Sequence, residues 1–396
     1  MAINRDMEAL GKVRSAIRDL FEYGNQRAAA IGRENVFDYS LGNPSVAPPQ
    51  QVTDTMLELL STREPVSLHG YTSAQGDKAA RTALSDDLNR RFGLSSDPDS
   101  FYITCGAAAS LTITLKALSC PGDEFMVIAP FFPEYRVFIE MTGSRCVVVP
   151  PDFDHFQINR EAFQAAVNEH TKGVILNSPN NPSGAVFSEE TIREVTAFLK
   201  EKEAEYGHQI FLISDEPYRE LVYDGKQVPF LTKYYEDTIV CYSFSKSLSL
   251  PGERIGYIYV SEALADHDDV YAAVAGAGRA LGYVCAPSLL QKTIAECVGL
   301  TSDLETYRTN RDLLYNALTE YGYSCVYPDG AFYLFFKAPM ESSQAFCEKA
   351  KEFELLLVPA DSFGCPGYVR ISYCVSTDMV KRSLPAFKAL MEACGK

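Results

Sequence analysis

Three apolar runs, each opening into a polar segment rich in functional groups, constrain this chain more than any other feature. Gly173 to Leu176 leads into Asn177-Ser178-Pro179-Asn180-Asn181-Pro182-Ser183-Gly184, and Gln209 to Ile213 leads to Asp215 and Tyr218. Thr238 to Tyr242 leads into Ser243-Phe244-Ser245-Lys246. Short apolar runs bounded by polar and turn residues read as buried strands. Spacings of 34 and 31 residues separate Asn181, Asp215 and Lys246. In open α/β sheets, ligands sit outside the carboxyl ends of the strands, where all three polar segments would fall.

Lys246 has two hydroxyls just before it and Arg254 eight positions after it. A lysine amine is almost fully protonated in water. Desolvation and a neighbouring cation lower its pKa until it can form a Schiff base with an aldehyde. Ser243, Ser245 and the fork of Arg254 suit a phosphate. Pyridoxal 5′-phosphate carries both an aldehyde and a phosphate. Its pyridine nitrogen must stay protonated for the ring to drain electrons from a carbanion, and Asp215 is the expected carboxylate partner. Tyr218 and Asn181 are expected against the ring's phenolic oxygen. Taken singly, SFSK also reads as a surface turn, NSPNNPSG as a plain turn and Asp215 as a helix cap.

Together these segments resemble the class I/II aminotransferases, the fold-type I enzymes that use pyridoxal phosphate, from about Tyr39 to about Val375. The resemblance implies further positions. Ile103-Thr104-Cys105-Gly106-Ala107-Ala108 reads as a strand, a glycine turn and a helix start, whose amides at Gly106, Ala107 and Ala108 would bind the cofactor phosphate. Within Ala129-Pro130-Phe131-Phe132-Pro133-Glu134-Tyr135 the position of Pro130 favours Phe132, over Phe131, as the ring stacked on the pyridine. Tyr71 matches a tyrosine that reaches the phosphate of a partner subunit, which implies a homodimer. Gly42, in Tyr39-Ser40-Leu41-Gly42-Asn43-Pro44, matches the entry loop that closes over the substrate.

Arg370, in Tyr368-Val369-Arg370-Ile371-Ser372-Tyr373, would fork on to the substrate's α-carboxylate; its bland reading is an edge-strand arginine reaching solvent. Pro328 to Tyr333 reads as a structural strand entry. Arg279 lies 33 residues after Lys246, near where aspartate-specific members of the family carry a partner-subunit arginine for a distal carboxylate. It reads equally well as a solvated loop arginine.

With 396 residues, of which 46 % are hydrophobic, the chain exceeds what one core usually serves. The expected fold is α/β. A large cofactor-binding domain with a mostly parallel sheet spans 46–287, and a smaller α+β domain combines 1–45 with 288–396. Arg5 to Ala30 reads as one helix with Val13, Ile17, Leu20 and Phe21 on one face, and Ser188 as the cap of a helix through Leu199. A net charge of −16 argues against nucleic acid or an anionic membrane as partner. No apolar stretch reaches about 18 residues, and the start Met1 to Asp6 is polar, so a cytoplasmic protein is expected. Eleven scattered cysteines read as reduced thiols, and five dispersed histidines offer no metal-ligand pair.

The expected reaction moves an amino group between an amino acid and a 2-oxo acid through Lys246, with Asp215 keeping the electron sink charged. A β-eliminating lyase on the same fold is the alternative, because fold does not fix chemistry. A cofactor-binding regulator would need a DNA-binding module, and no basic recognition segment precedes residue 39. The identity of the amino donor and acceptor is not legible.

Overall fold

A computed structural model describes residues 3–12 and 16–395. Contacts divide them into two units, one comprising 44–304 and 329–331, the other the remaining described residues of 1–43, 305–328 and 332–396. The division falls at 304, whereas the sequence suggested 287. The difference is the helix Ser288–Cys297, whose Leu290, Ile294 and Cys297 pack into a core of the larger unit with Leu84, Leu88 and Val240.

After a two-residue strand, β1 (Phe37–Asp38), the chain lays down seven strands of one sheet: β2 (Phe101–Thr104), β3 (Glu124–Ile128), β4 (Arg145–Val149), β5 (Thr171–Asn177), β6 (Phe211–Asp215), β7 (Thr238–Ser243) and β8 (Gly256–Val260). Their spatial order is β2-β8-β7-β6-β5-β3-β4, and all pairings are parallel except those of β8, which runs against both neighbours. Side chains alternate between two buried layers. Ile213, Ile239 and Cys241 face one core with Leu111 and Phe125, whereas Leu212 faces another with Leu176 and Leu199. Strands buried on both faces lose the polar alternation of half-exposed strands, which is why they read as continuous apolar runs.

Register sets the site. Asn177 pairs with Asp215, Asp215 with Cys241, and Ser243 with Gly256, which also faces Thr104. The carboxyl ends of β2, β5, β6 and β7 therefore share one sheet edge. Ser188 caps the helix Glu189–Tyr206 by accepting from Thr191 N at 3.0 Å.

The smaller unit contains β9 (Ser324–Val326), β10 (Tyr333–Lys337), β11 (Leu355–Leu356), β12 (Val358–Pro359) and β13 (Tyr368–Ser372). Its four-stranded antiparallel sheet has the order β12-β13-β10-β9, while β1 and β11 form a separate parallel pair. Within the helix expected over Arg5 to Ala30, the described residues form Arg5–Lys12 and Ala16–Ile31. Leu20 is buried, Phe21 is exposed, and Val13 lies outside the described residues. Among the described residues no helix is long and apolar enough to cross a membrane.

Candidate active site

Asp215 closes β6 with its side chain almost wholly buried. Its backbone carbonyl accepts from Asn177 Nδ2 at 2.9 Å, and its Oδ2 accepts from the Tyr135 hydroxyl. Oδ1 is buried with no hydrogen-bond partner. Burial pushes the carboxyl up to about 7, against the opposing donation from Tyr135, and Glu216 adds to the rise. A buried carboxylate oxygen without a donor is costly, and a charged N–H group is the partner that would relieve it.

Tyr135 escaped the sequence reading. It stands in the quoted segment, three residues after Phe132, where a tyrosine looks like core. Phe131 is in fact core, at 4 % exposure, whereas Phe132 is only partly buried at the core's margin and meets Tyr135 edge-on with centroids 5.7 Å apart. Phe132 is thus the ring with an accessible surface.

The octapeptide after β5 is folded by its own side chains. Asn180 Oδ1 accepts from Ser183 N and Oγ at 3.0 and 2.8 Å, and Asn180 Nδ2 donates to the Pro130 carbonyl at 3.2 Å. Asn181 N donates to Asn177 Oδ1 at 2.8 Å, so the residue that pairs its amide with the Asp215 backbone also fixes Asn181. Both Asn181 and Tyr218 are buried.

Lys246 lies half-buried in the helical turn Phe244–Ser247, directly after β7, with Ser243 and Ser245 buried beside it. The turn is tied down by Phe244 N to Ile255 O at 3.1 Å and by Ser302 N to Ser247 O at 2.7 Å. Across the sheet edge, Gly106 caps the helix Ala107–Leu118 with φ 89°, a conformation that favours glycine. A Cβ on Gly106 would stand 2.8 Å from Arg254 Nη2, and one on Gly256 would collide with the Tyr242 carbonyl. The glycine turn, the arginine and the end of β7 are therefore pressed together, with the free N–H groups of a helix start among them. Arg254 donates Nη1 to Pro251 O at 3.0 Å and is itself exposed, as is Ala108; Ala107 is half-buried.

Two sequence candidates stand apart. Tyr71 is 98 % exposed, and Arg279 is exposed in the last turn of the helix His267–Leu281. Cys285 N to Ala74 O at 3.3 Å and Cys285 Sγ to Thr72 O at 3.4 Å bring the Tyr71 segment alongside exposed Tyr283 and Val284.

In the smaller unit, Arg370 is 2 % exposed on β13, a strand flanked on both sides. The edge-strand reading therefore fails. Its guanidinium carbon lies 4.8 Å from the Tyr333 ring centre and 5.2 Å from that of Phe363, and Nη2 donates to Ser40 O at 2.5 Å. Gly42 leaves no room for a side chain, because a Cβ there would strike the Tyr333 hydroxyl. Tyr333, expected to be only structural, thus borders both candidate substrate residues of this unit.

The sequence family described as aminotransferase class I and II matches residues 34–387. A Bacillus subtilis protein named as an aminotransferase, YugH, is 31 % identical over 398 residues, covering 95 % of each chain. An aminotransferase crystal structure from Eubacterium rectale has 58 % identity and a TM-score of 0.98, covering 100 % of both chains. The aspartate aminotransferase of Thermotoga maritima superposes with a TM-score of 0.87 at 26 % identity, covering 98 % of this chain and 100 % of its own.

Proposed function

The chain belongs to the class I and II aminotransferases, enzymes that depend on pyridoxal phosphate, and on that premise we propose which of its residues move the amino group. The chain is an aminotransferase acting on small amino and 2-oxo acids, and its relatives do not favour the eliminating alternative. When bound, the cofactor supplies an aldehyde and a ring that withdraws electrons from the substrate's α-carbon.

The residues present fit that group. The observation that carries the reading is the orphaned Oδ1 of Asp215, which a protonated ring nitrogen would satisfy. The Gly106 turn with Arg254 against it, the amides of Ala107 and Ala108, and the hydroxyls of Ser243 and Ser245 suit the phosphate. Phe132 would cover a ring face, while Asn181 and Tyr218 would donate to the phenolic oxygen.

Lys246 Nζ would hold the aldehyde at rest. Once displaced by the substrate amine, it would take the α-proton as base and, as acid, deliver it to the carbon that had carried the aldehyde. Arg370 would grip the α-carboxylate bidentately, its plane set by Tyr333 and Phe363 and one nitrogen engaged by Ser40. Gly42 would give the substrate a side-chain-free entry. The deciding experiment mixes holoenzyme with a panel of amino acids and follows the cofactor spectrum in a single turnover. At least one donor should convert it to the amine form, and exchange without conversion for every donor would refute the reading.

Gly106→Ala forces a Cβ on to Arg254 at a positive φ. At about 1–2 kcal/mol of backbone strain it is expected to weaken cofactor binding roughly tenfold, read by titration of the cofactor-free protein.

A homodimer with shared sites is supported by Tyr71, whose ring is almost wholly exposed on a segment bonded alongside exposed Tyr283 and Val284. Mixing Tyr71→Ala with Lys246→Ala subunits under exchange is expected to restore about a quarter of the original activity. Half of the dimers would then be hybrids with one intact site of two. Activity equal to the mean of the two inactive parents would count against sharing.

Arg279 is the proposed reader of a second substrate carboxylate. Arg279→Ala should lower the kcat/KM ratio of aspartate to alanine by about tenfold to a hundredfold, the worth of a charged hydrogen bond. An unchanged ratio would make a neutral amino acid the better substrate. Eleven cysteines, none of them in a disulfide, suit a reducing cytoplasm.

A further inference from the structure

Beside the Lys246 turn lies a buried charged cluster with no part in the chemistry above. Arg219, 5 % exposed, donates Nη1 to Glu216 Oε2 at 2.8 Å, Nε to Glu220 Oε1 at 3.1 Å and Nη2 to the Tyr257 hydroxyl at 3.0 Å. Arg91 Nη1 donates to the same Glu220 oxygen at 2.9 Å. The Arg219 guanidinium also lies 4.4 Å from the centre of the Tyr242 ring, which stacks on Tyr257 at 4.9 Å. Burial pushes the Glu220 carboxyl up, but the guanidiniums of Arg219 and Arg91 outweigh it and hold the group below the ordinary carboxylate value. Glu220 is therefore a charged anchor.

Two arms leave this cluster. Glu216 Oε1 accepts from Ser214 Oγ at 2.6 Å, so bonded residues flank Asp215 on both sides. On the other arm, Tyr242 donates its hydroxyl to Glu220 Oε2 at 2.8 Å, and the Tyr242 hydroxyl oxygen stands 2.9 Å from Ser247 Oγ, which can donate to it. Ser247 follows Lys246 and ends the helical turn, and its carbonyl already accepts from Ser302 N. A lysine side chain has many rotamers and little stiffness of its own, so the placement of its amine depends on the backbone that carries it. A misplacement of 1 Å costs about a hundredfold in rate.

We propose that Tyr242 is a positioning residue for Lys246: anchored on Glu220, its hydroxyl holds Ser247 and thereby fixes the turn that presents the lysine. The inference rests on the reading of Lys246 as the reacting amine. Neither Tyr242 nor Ser247 is among the proposed cofactor contacts, and Tyr242→Phe keeps the ring, its stack on Tyr257 and its contact with Arg219.

The test compares holoenzyme with Tyr242→Phe, Ser247→Ala and the double variant. Each single change should lower kcat about tenfold with KM within about twofold, and move the pH midpoint of the bound cofactor's absorbance change by at least about half a unit. The double variant should do no more than either single one, because both cut the same link. Strictly additive losses, or a lower melting temperature with kcat and midpoint unmoved, would overturn the inference. Borohydride fixation of the cofactor separates the two levels. Label on Lys246 with an unmoved midpoint sinks the positioning role alone, and label on another lysine sinks the reading of the site together with it.

Discussion

Lys246→Ala should abolish turnover, lowering the single-turnover rate by at least about four orders of magnitude, the upper end of what one positioned proton-transferring group contributes. The loss should exceed that of any other single substitution, because the same amine is proposed both to hold the aldehyde and to carry the α-proton. Cofactor should still bind without a covalent link, through the Gly106 turn, Arg254 and Asp215. Borohydride, which should fix the cofactor to the peptide containing Lys246 in the native chain, should then leave the variant unlabelled. A labelled variant, or one retaining more than about a hundredth of the original rate, would place the chemistry on another lysine.

Asp215→Ala should leave part of the cofactor bound and lower turnover more than about a hundredfold, since removing one partner of a buried charge pair costs about 3 kcal/mol or more. The same carboxyl makes stability depend on pH in a way that reports on the cofactor. In the protein without cofactor, burial raises the Asp215 carboxyl to about 7, against about 3.9 in an unfolded chain. A group raised in the folded state contributes stability that is complete below the unfolded value and is lost as pH rises through the folded one. The melting temperature of cofactor-free protein should therefore fall between about pH 4 and 7 and level off above, and Asp215→Asn should remove that component. A cation against Oδ1 reverses the shift, so stabilisation by cofactor should grow over the same range. Parallel melting curves for the native chain and Asp215→Asn would show that the carboxyl does not titrate there.

The central sheet was readable because its strands are buried on both faces, and the polar segments were readable because each interrupts an apolar run. Asp215 stood out for that reason. Tyr135 did not, since its partner lies 80 residues further along and nothing local marks a core tyrosine as a hydrogen-bond donor. For Arg370 the sequence left a substrate-facing arginine and a solvent-facing edge arginine both open. Alternation along Tyr368–Ser372 gave no sign of whether the strand lay inside or at the edge of its sheet, and only the pairings to β12 and β10 decide it. In the N-terminal segment the helical period was legible but not which residues face the core. A face chosen by spacing put Phe21 inside, yet the helix Ala16–Ile31 leaves it exposed.

The reversed strand β8 has a further consequence. Because it returns to the sheet edge that β7 has just left, the proposed amine anchor at Lys246 and the proposed anion anchor at Arg254 sit on one short hairpin connection. Parallel neighbours would have placed them on loops separated by a whole crossover. The hairpin therefore acts as a ruler, fixing the separation of the two proposed anchors within a single stretch of chain, so that sliding of β6 or β5 against their neighbours would leave it unchanged.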